Sequence, residues 1–174
     1  MRLIWISIVF IFVPNGFAQD WHFSPFFGFD GQYTFIKADD ESFNPANGRF
    51  RFGLYFYQSL AIEASYGIPM HDDSQYNVDV SIEKSYSFNL RWESPPEHYD
   101  GFSVYFLTGY AINRLNIENQ AGYPGKQDYK GFNIGLGFKQ RYFNLASLYL
   151  EYNYQYAKDD LQISGLSLGA QIEF

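Results

Sequence analysis

The chain holds three histidines and no cysteine, so imidazole is scarce and thiol chemistry is absent. His71 opens the run His71-Asp72-Asp73-Ser74, which contains the residue types of an acyl-transfer site: a hydroxyl, a base and an orienting carboxylate. Those groups act only when they converge on one point, and neighbours in a loop rarely aim that way. Three acidic clusters offer a second chemistry. Asp39-Asp40-Glu41, Asp72-Asp73 and Asp159-Asp160 are oxygen-rich, as calcium or magnesium ligands are. Solvated loop charge is the simpler reading of all three. Gly135-Leu136-Gly137 is not a nucleotide loop, because no helical pattern follows it. No cofactor or resident metal is implied. The formal charge of −7 comes without any cluster of Lys and Arg, which excludes nucleic acid as a partner.

What would position such groups is legible from the ends inward. Arg2, the apolar run Leu3 to Val13, the break at Pro14-Asn15-Gly16 and small residues at Gly16 and Ala18 form a signal-peptide pattern, with cleavage expected after Ala18. A run that short covers about half of a bilayer core as a helix, so a membrane anchor is disfavoured. Residues 19–174 then make one domain. Aromatic residues reach 22%, far beyond a usual soluble domain, yet no later stretch is long and apolar enough for a membrane helix.

The aromatics fall instead on alternating positions, the mark of strands with one apolar and one polar row. Eight segments carry it. In the first, Phe27, Phe29, Tyr33 and Phe35 oppose Gly28, Asp30, Gln32 and Thr34. The second and third set Phe50, Phe52 and Leu54, then Ile62 and Ala64, against Arg49, Arg51, Gly53, Glu63 and Ser65. The fourth, from Tyr76 to Trp92, reads Val78, Val80, Ile82, Tyr86, Phe88, Leu90 and Trp92 on one row, broken by Lys84. Its other row runs through Glu83, Asn89 and Arg91. The fifth to eighth repeat the pattern around Phe106, Phe132, Leu150 and Leu168, with Gly135, Gly137, Lys139, Glu151 and Gly169 on the opposite row. Residues 38–47, 69–76, 113–128 and 157–162 read as the longer loops.

Eight antiparallel strands without a helix predict an up-and-down barrel. Size decides which row faces in. A barrel of eight strands holds only its own side chains or one small ligand, and a full row of Phe, Tyr, Leu and Ile would overfill it. The Gly- and Ser-rich row with a few long charges fits. The expected fold is therefore an all-β, eight-stranded antiparallel transmembrane β-barrel with a polar interior and a lipid-facing aromatic exterior. Its interior charges, Asp30, Glu63, Glu151 and Glu173 against Arg49, Arg51, Arg91 and Lys139, nearly balance, and buried charge survives only in pairs. The expected pairs join Glu63 or Glu151 to Arg51 or Lys139, as structural filling.

At this point the chain resembles the small eight-stranded outer-membrane barrels of Gram-negative bacteria, the broad group of the outer-membrane protein A and X barrels and related porin-like surface proteins. The residues that carry the resemblance are the leader, the eight alternating strands, YLEYNYQYAKDD near 150–160 and the closing SLGAQIEF. It implies residence in the outer membrane with both termini periplasmic, and as partners outer-membrane lipids, lipopolysaccharide and the barrel-assembly machinery, which would read the terminal Phe174. It implies a monomer and leaves room for a surface partner protein. Trp92, Tyr57, Tyr142, Phe143 and Phe174 would form the periplasmic aromatic girdle, and Tyr33, Tyr66, Tyr86 and Tyr154 the outer one. Lys84 lies about 20 Å above Trp92 along a tilted strand, near the outer edge of the apolar band, where it would meet lipopolysaccharide phosphates. The expected function is structural or surface interaction (adhesion, host contact), not catalysis. Alternatives are a lipid A-modifying acyltransferase or deacylase, or a narrow solute channel. The topology separates His22 and His98 from His71 at opposite ends, and the deacylase His-x-Ser-Asn pattern is absent.

Overall fold

The computed structural model describes residues 23–38, 41–75, 78–94, 101–119, 124–143, 145–156 and 161–174. The expected signal peptide lies outside them. Eight long strands follow in order: β1 (Ser24–Ala38), β3 (Ala46–Tyr57), β4 (Leu60–His71), β6 (Val78–Glu93), β7 (Phe102–Asn119), β8 (Pro124–Arg141), β9 (Ala146–Tyr156) and β10 (Leu161–Glu173). Two short strands, β2 (Glu41–Phe43) and β5 (Asp73–Gln75), hang on β1 and β6. Each long strand pairs antiparallel with the next, and β1 pairs β10 from Phe26↔Glu173 to Ala38↔Leu161. The sheet thus closes on itself, and its long strands form an eight-stranded barrel. Closure leaves no unpaired backbone facing lipid.

Both described ends of the chain lie at one end of the barrel, where the Phe174 N–H donates to the Pro25 carbonyl at 3.0 Å. The turn at Gln58-Ser59 joins β3 to β4 at this end. Gly101 takes a left-handed φ of +84°, which suits a residue without Cβ, and its carbonyl accepts the Arg141 N–H at 2.8 Å.

The rows separate as chemistry demands. Phe88, Phe132 and Leu168 are between 63% and 70% exposed, whereas Arg91, Leu107 and Ala61 are 0% exposed on the opposite row. The exposed aromatic surface is the lipid face. Trp92, Tyr142, Phe143 and Phe174 stand exposed at the end holding the termini. Tyr66 and Tyr86 meet across β4 and β6 with rings 5.2 Å apart.

Length divides the strands. About 9–11 tilted residues span a bilayer. The 11 residues of β9 are near that requirement, while β7 and β8 run 18 each and β6 runs 16. The segment read as a loop over 113–128 is therefore corrected. Its described part continues β7 and β8 as a hairpin beyond the membrane, paired from Asn113↔Tyr129 to Glu118↔Pro124.

The upper half of β6 turns its apolar row the other way. Its register with β7 steps from Ile82↔Leu115 to Lys84↔Arg114, so Glu83 is an extra, bulged residue. One inserted residue swaps the faces of a strand. Below the bulge, Ser85, Asn89, Arg91 and Glu93 face in, and Tyr86 to Trp92 face lipid. Above it, Val80 and Ile82 face in, each 2% exposed. They join Ile36, Phe43, Leu115, Leu161 and Ile163 in an apolar core, with Val78, Ile117 and Tyr129 against its edge. The barrel is thus polar inside where it crosses lipid and apolar inside where it stands in water. The two solvents require this inversion.

Candidate functional site

The interior is a stack of charge layers set by strand register. In the middle, Arg49 donates to Asp30 through Nε (2.8 Å) and Nη2 (3.1 Å), and to Ser167 Oγ at 2.8 Å. Arg51 lies 2.9 Å from Asp30 and 3.5 Å from Glu63 and forms a close ion pair with Glu151. Arg49 also approaches Glu151 at 3.3 Å. Tyr105 and Tyr149 donate their hydroxyls to Glu151 (3.0 Å) and Asp30 (2.7 Å). Glu63 carries the chain of charge downward to Arg91 at 3.2 Å, and Arg91 reaches Glu93 at 3.0 Å. The Arg91 guanidinium also lies over the Tyr105 ring, 3.8 Å from its centroid.

At the end holding the termini, Lys139 contacts Glu93 and Glu173, each at 2.5 Å, and Arg141 reaches Glu173 at 2.7 Å. Tyr55 donates to Glu93 at 2.6 Å, and Ser103 does so at 2.8 Å. Tyr55, Glu93, Lys139, Arg141 and Glu173 line a small cavity of about 140 Å³ that opens outward.

The structure therefore brings Asp30, Arg49, Arg51, Glu63, Arg91 and Glu151 into one connected cluster. The expected partner of Lys139 is corrected. Opposite Ser103 and Tyr149 in the register, it sits one inward-facing row nearer the termini than Glu151, which pairs Gly137. It therefore meets Glu93 and Glu173. Glu93 and Arg141 belong to the cluster as well, and Glu93 was findable as the next inward residue after Arg91. Tyr55, Tyr105 and Tyr149 fall on the same inward row by alternation, and the structure buries all three, but their contacts do not follow from parity. The rings of Tyr105 and Tyr149 use space that cross-strand glycines leave: a Cβ on Gly137 would overlap the Tyr105 ring, and one on Gly169 the Tyr149 ring. Arg51, Arg91, Tyr105 and Tyr149 are all at most 1% exposed. A water-filled lumen would wet them, so this layer closes the bore.

Above the charge layers lie amides. Gln32 donates to Asn153 at 3.1 Å, Asn133 to Asn89 at 2.9 Å, and Asn113 pairs with Gln155. The apolar core follows, then the outer surface.

Outside, Lys84 stands on the lipid-side row opposite Arg114, which itself opposes Asp128. Arg114 binds Asp128 through Nε (2.7 Å) and Nη2 (3.1 Å), and these bonds hold the Asp128 carboxyl below the usual carboxylate range. Lys126 reaches Glu83 at 3.0 Å. A belt of mixed charge thus sits where the exterior turns from apolar to polar, at the level of the bulge. By parity Glu83 shares the row of Arg91, which faces the interior or its mouth; the bulge instead brings its carboxylate to Lys126 in this belt.

The residues considered for catalysis do not assemble. His71 is exposed at the end of β4, and Asp73 Oδ2 accepts the Asn44 N–H (2.7 Å) and Gln75 Nε2 (2.9 Å). That carboxylate ties the link between β2 and β3 to β5. His22, His98, Asp39, Asp40, Asp159 and Asp160 lie outside the described residues, and among the described ones no cluster of three metal-ligating side chains occurs.

An aromatic exterior, a charge-filled bore and a closed antiparallel sheet define a transmembrane β-barrel. The family model of the outer membrane protein beta-barrel domain matches residues 8–174, and the chain belongs to that family. It is a protein of the Gram-negative outer membrane, with both termini on the periplasmic side. No curated protein matches the sequence. Among solved structures, the chain is similar to Neisserial surface protein A (TM-score 0.70, 15% identity, covering 86% of this chain and 97% of that one). It is also similar to Ail, the attachment invasion locus protein of Yersinia pestis, solved in complex with the heparin analogue sucrose octasulfate (TM-score 0.66, 16% identity, 87% and 99%). A third is the N-terminal barrel domain of Pseudomonas aeruginosa OprF (TM-score 0.62, 16% identity, 84% and 97%). At such identities the likeness is one of fold.

Proposed function

We propose that the protein is a surface-contact barrel: the membrane-spanning part is an inert anchor, and the strands that rise beyond it form the working part. The observation that carries this is the apolar core of Ile36, Phe43, Val80, Ile82, Leu115, Leu161 and Ile163. A barrel needing only to span lipid would end in loops at the bulge. This one continues two hairpins into water and gives them a core, which orders a platform for binding. The dry charge layer, and the lack of a convergent site at His71 among the described residues, weigh against solute conduction and lipid chemistry. Lys84 and the charged belt beside it would rest on lipopolysaccharide phosphates and hold the platform upright.

The test is attachment of a deletion strain, and of the same strain complemented, to host-cell layers and to heparin-coated surfaces. Several-fold weaker attachment by the deletion strain, restored by the wild-type gene, is expected. Unchanged attachment on every surface, together with an altered lipid A acyl pattern, would favour the enzyme instead.

A further inference from the structure

The cations on the lipid-side row are gathered on one side of the barrel. Lys84 of β6, Arg114 of β7 and Lys130 of β8 stand on three adjacent strands at the outer edge of the apolar band. Lys126, higher on β8, is bound to Glu83. Among the described residues elsewhere round that edge, Lys37 of β1 is the one further lysine or arginine.

Register fixes how the three lie. Lys84 pairs Arg114 and Arg114 pairs Asp128, so these form one row across β6, β7 and β8. Lys130 follows two residues below Asp128 on β8. Rows climb in the direction from β6 to β8. The row that starts at Trp92, beside the periplasmic end of β6, passes Phe106, Leu136, Tyr152 and Leu166 and reaches Tyr33 in the outer half of β1. With strands about 4.8 Å apart and tilted by about 40°, a row rises about 6 Å over two strands. Two residues down β8 lower the position by about 5 Å. Lys84 and Lys130 therefore stand at one height, and the two offsets put their Cα atoms about 12 Å apart.

Between the two lysines sits the Arg114–Asp128 pair, closed on itself by bonds of 2.7 and 3.1 Å. Lys84 and Lys130 make no ion pair among the described residues. Two free ammonium groups thus flank a neutral pair. The wall beneath them is aromatic. Phe88, Tyr110 and Phe132 share one row and are 48% to 70% exposed. The rings of Tyr110 and Phe132 meet edge to face, 6.5 Å apart.

Resting on the reading that this belt lies against lipopolysaccharide phosphates, we infer that β6, β7 and β8 form a seat for one lipid molecule whose headgroup carries two phosphates. One phosphate meets Lys84 and the other Lys130. The sugar that joins them lies over the Arg114–Asp128 pair, and the acyl chains descend over Tyr110 and Phe132. A lipid with one phosphate satisfies one lysine only, so the seat selects by phosphate count. Lysines that merely snorkel to the interface would show no such preference.

The probes are lipid A with two phosphates and lipid A with one, added to the purified barrel in detergent and counted by native mass spectrometry. The wild type should hold one molecule of the two-phosphate form about fivefold more tightly, the effect of one lysine near an anionic membrane surface. Lys84→Gln and Lys130→Gln should each remove that preference. Lys130→Arg, which keeps the charge, and Lys37→Gln, on the far side, should both retain it. Heat-resistant migration on gels confirms that each variant is a closed barrel. Equal binding of the two lipids by the wild type, or a preference that survives Lys130→Gln, overturns the inference. So does a loss with Lys37→Gln as large as with Lys130→Gln, which would make total charge the cause. Displacement of the lipid by an equal concentration of the bisphosphorylated disaccharide without acyl chains would make free phosphates the ligand and overturn the lipid seat. If Lys84→Gln weakens both lipids and Lys130→Gln neither, the seat fails and the single contact at Lys84 stands. If neither variant changes binding, the belt reading fails first.

Discussion

Replacing Glu151 by glutamine removes one negative charge from the centre of the bore and almost no volume. Its Oε1 faces Arg51 in close contact and Arg49 at 3.3 Å, and its Oε2 accepts the Tyr105 hydroxyl at 3.0 Å. Breaking a buried pair by removing one partner costs about 3–5 kcal/mol, because the remaining charge is left uncompensated. Here the loss falls at the lower end, about 3 kcal/mol. Arg49 keeps Asp30 and Ser167, Arg51 keeps Asp30 and Glu63, and the amide oxygen still accepts one bond. Urea unfolding in lipid vesicles, followed by tryptophan fluorescence, reads this directly. With a slope of about 1–3 kcal/mol per molar urea, the midpoint should fall by about 1–3 M. Arg51→Met should cost a similar amount. The double variant Arg51→Met/Glu151→Gln should cost less than the sum by about 2 kcal/mol, since each change removes the charge the other stranded. A loss below about 0.5 kcal/mol for Glu151→Gln, or strict additivity, would refute the claim that these charges hold one another in place.

Gly137→Val forces a branched side chain into the Tyr105 ring and should destabilise the barrel by about 1–3 kcal/mol, read by the same unfolding assay, with partial recovery when Tyr105→Leu is added. Ile82→Asp puts an unpaired carboxylate into the upper apolar core. Proteolysis should then clip the protruding hairpins of intact cells while the membrane-embedded barrel keeps its heat-resistant migration on gels. Lys84→Glu should weaken association with lipopolysaccharide in a co-purification assay and leave the unfolding free energy within about 0.5 kcal/mol of wild type. Unchanged association would remove Lys84 from the lipid contact.

The two-row pattern was legible because lipid and a crowded bore impose opposite demands on neighbouring residues. Asp30, Arg49, Arg51, Glu63, Arg91 and Glu151 could be assigned to the bore from parity alone. Their partners could not, since pairing depends on register, and register is set by turns whose geometry is not written in alternation. Lys139 shows the difference: its row was right and its partners were one layer away. The bulge was hidden for a more particular reason. Val78, Val80 and Ile82 share parity with Tyr86, Phe88 and Leu90, so the row reads as continuous although the first three face inward and the last three face lipid. The inversion also disguised the outer hairpin. Leu115 and Ile117 lie on the inward row and alternate with Arg114, Asn116 and Glu118. That is a water-soluble strand's pattern, out of phase with the membrane strands before it, and it resembled a polar loop.

Glu83 is, in effect, a plumb mark. Below it β6 is written for oil and above it for water, so this single residue records the height at which the bilayer must stop. Moving the bulge by two residues would ask the membrane to end about 5 Å higher or lower on this side of the barrel. The molecule's vertical seating is thus fixed by counting along one strand, and a bilayer of different thickness would have to tilt the barrel or bend to meet it.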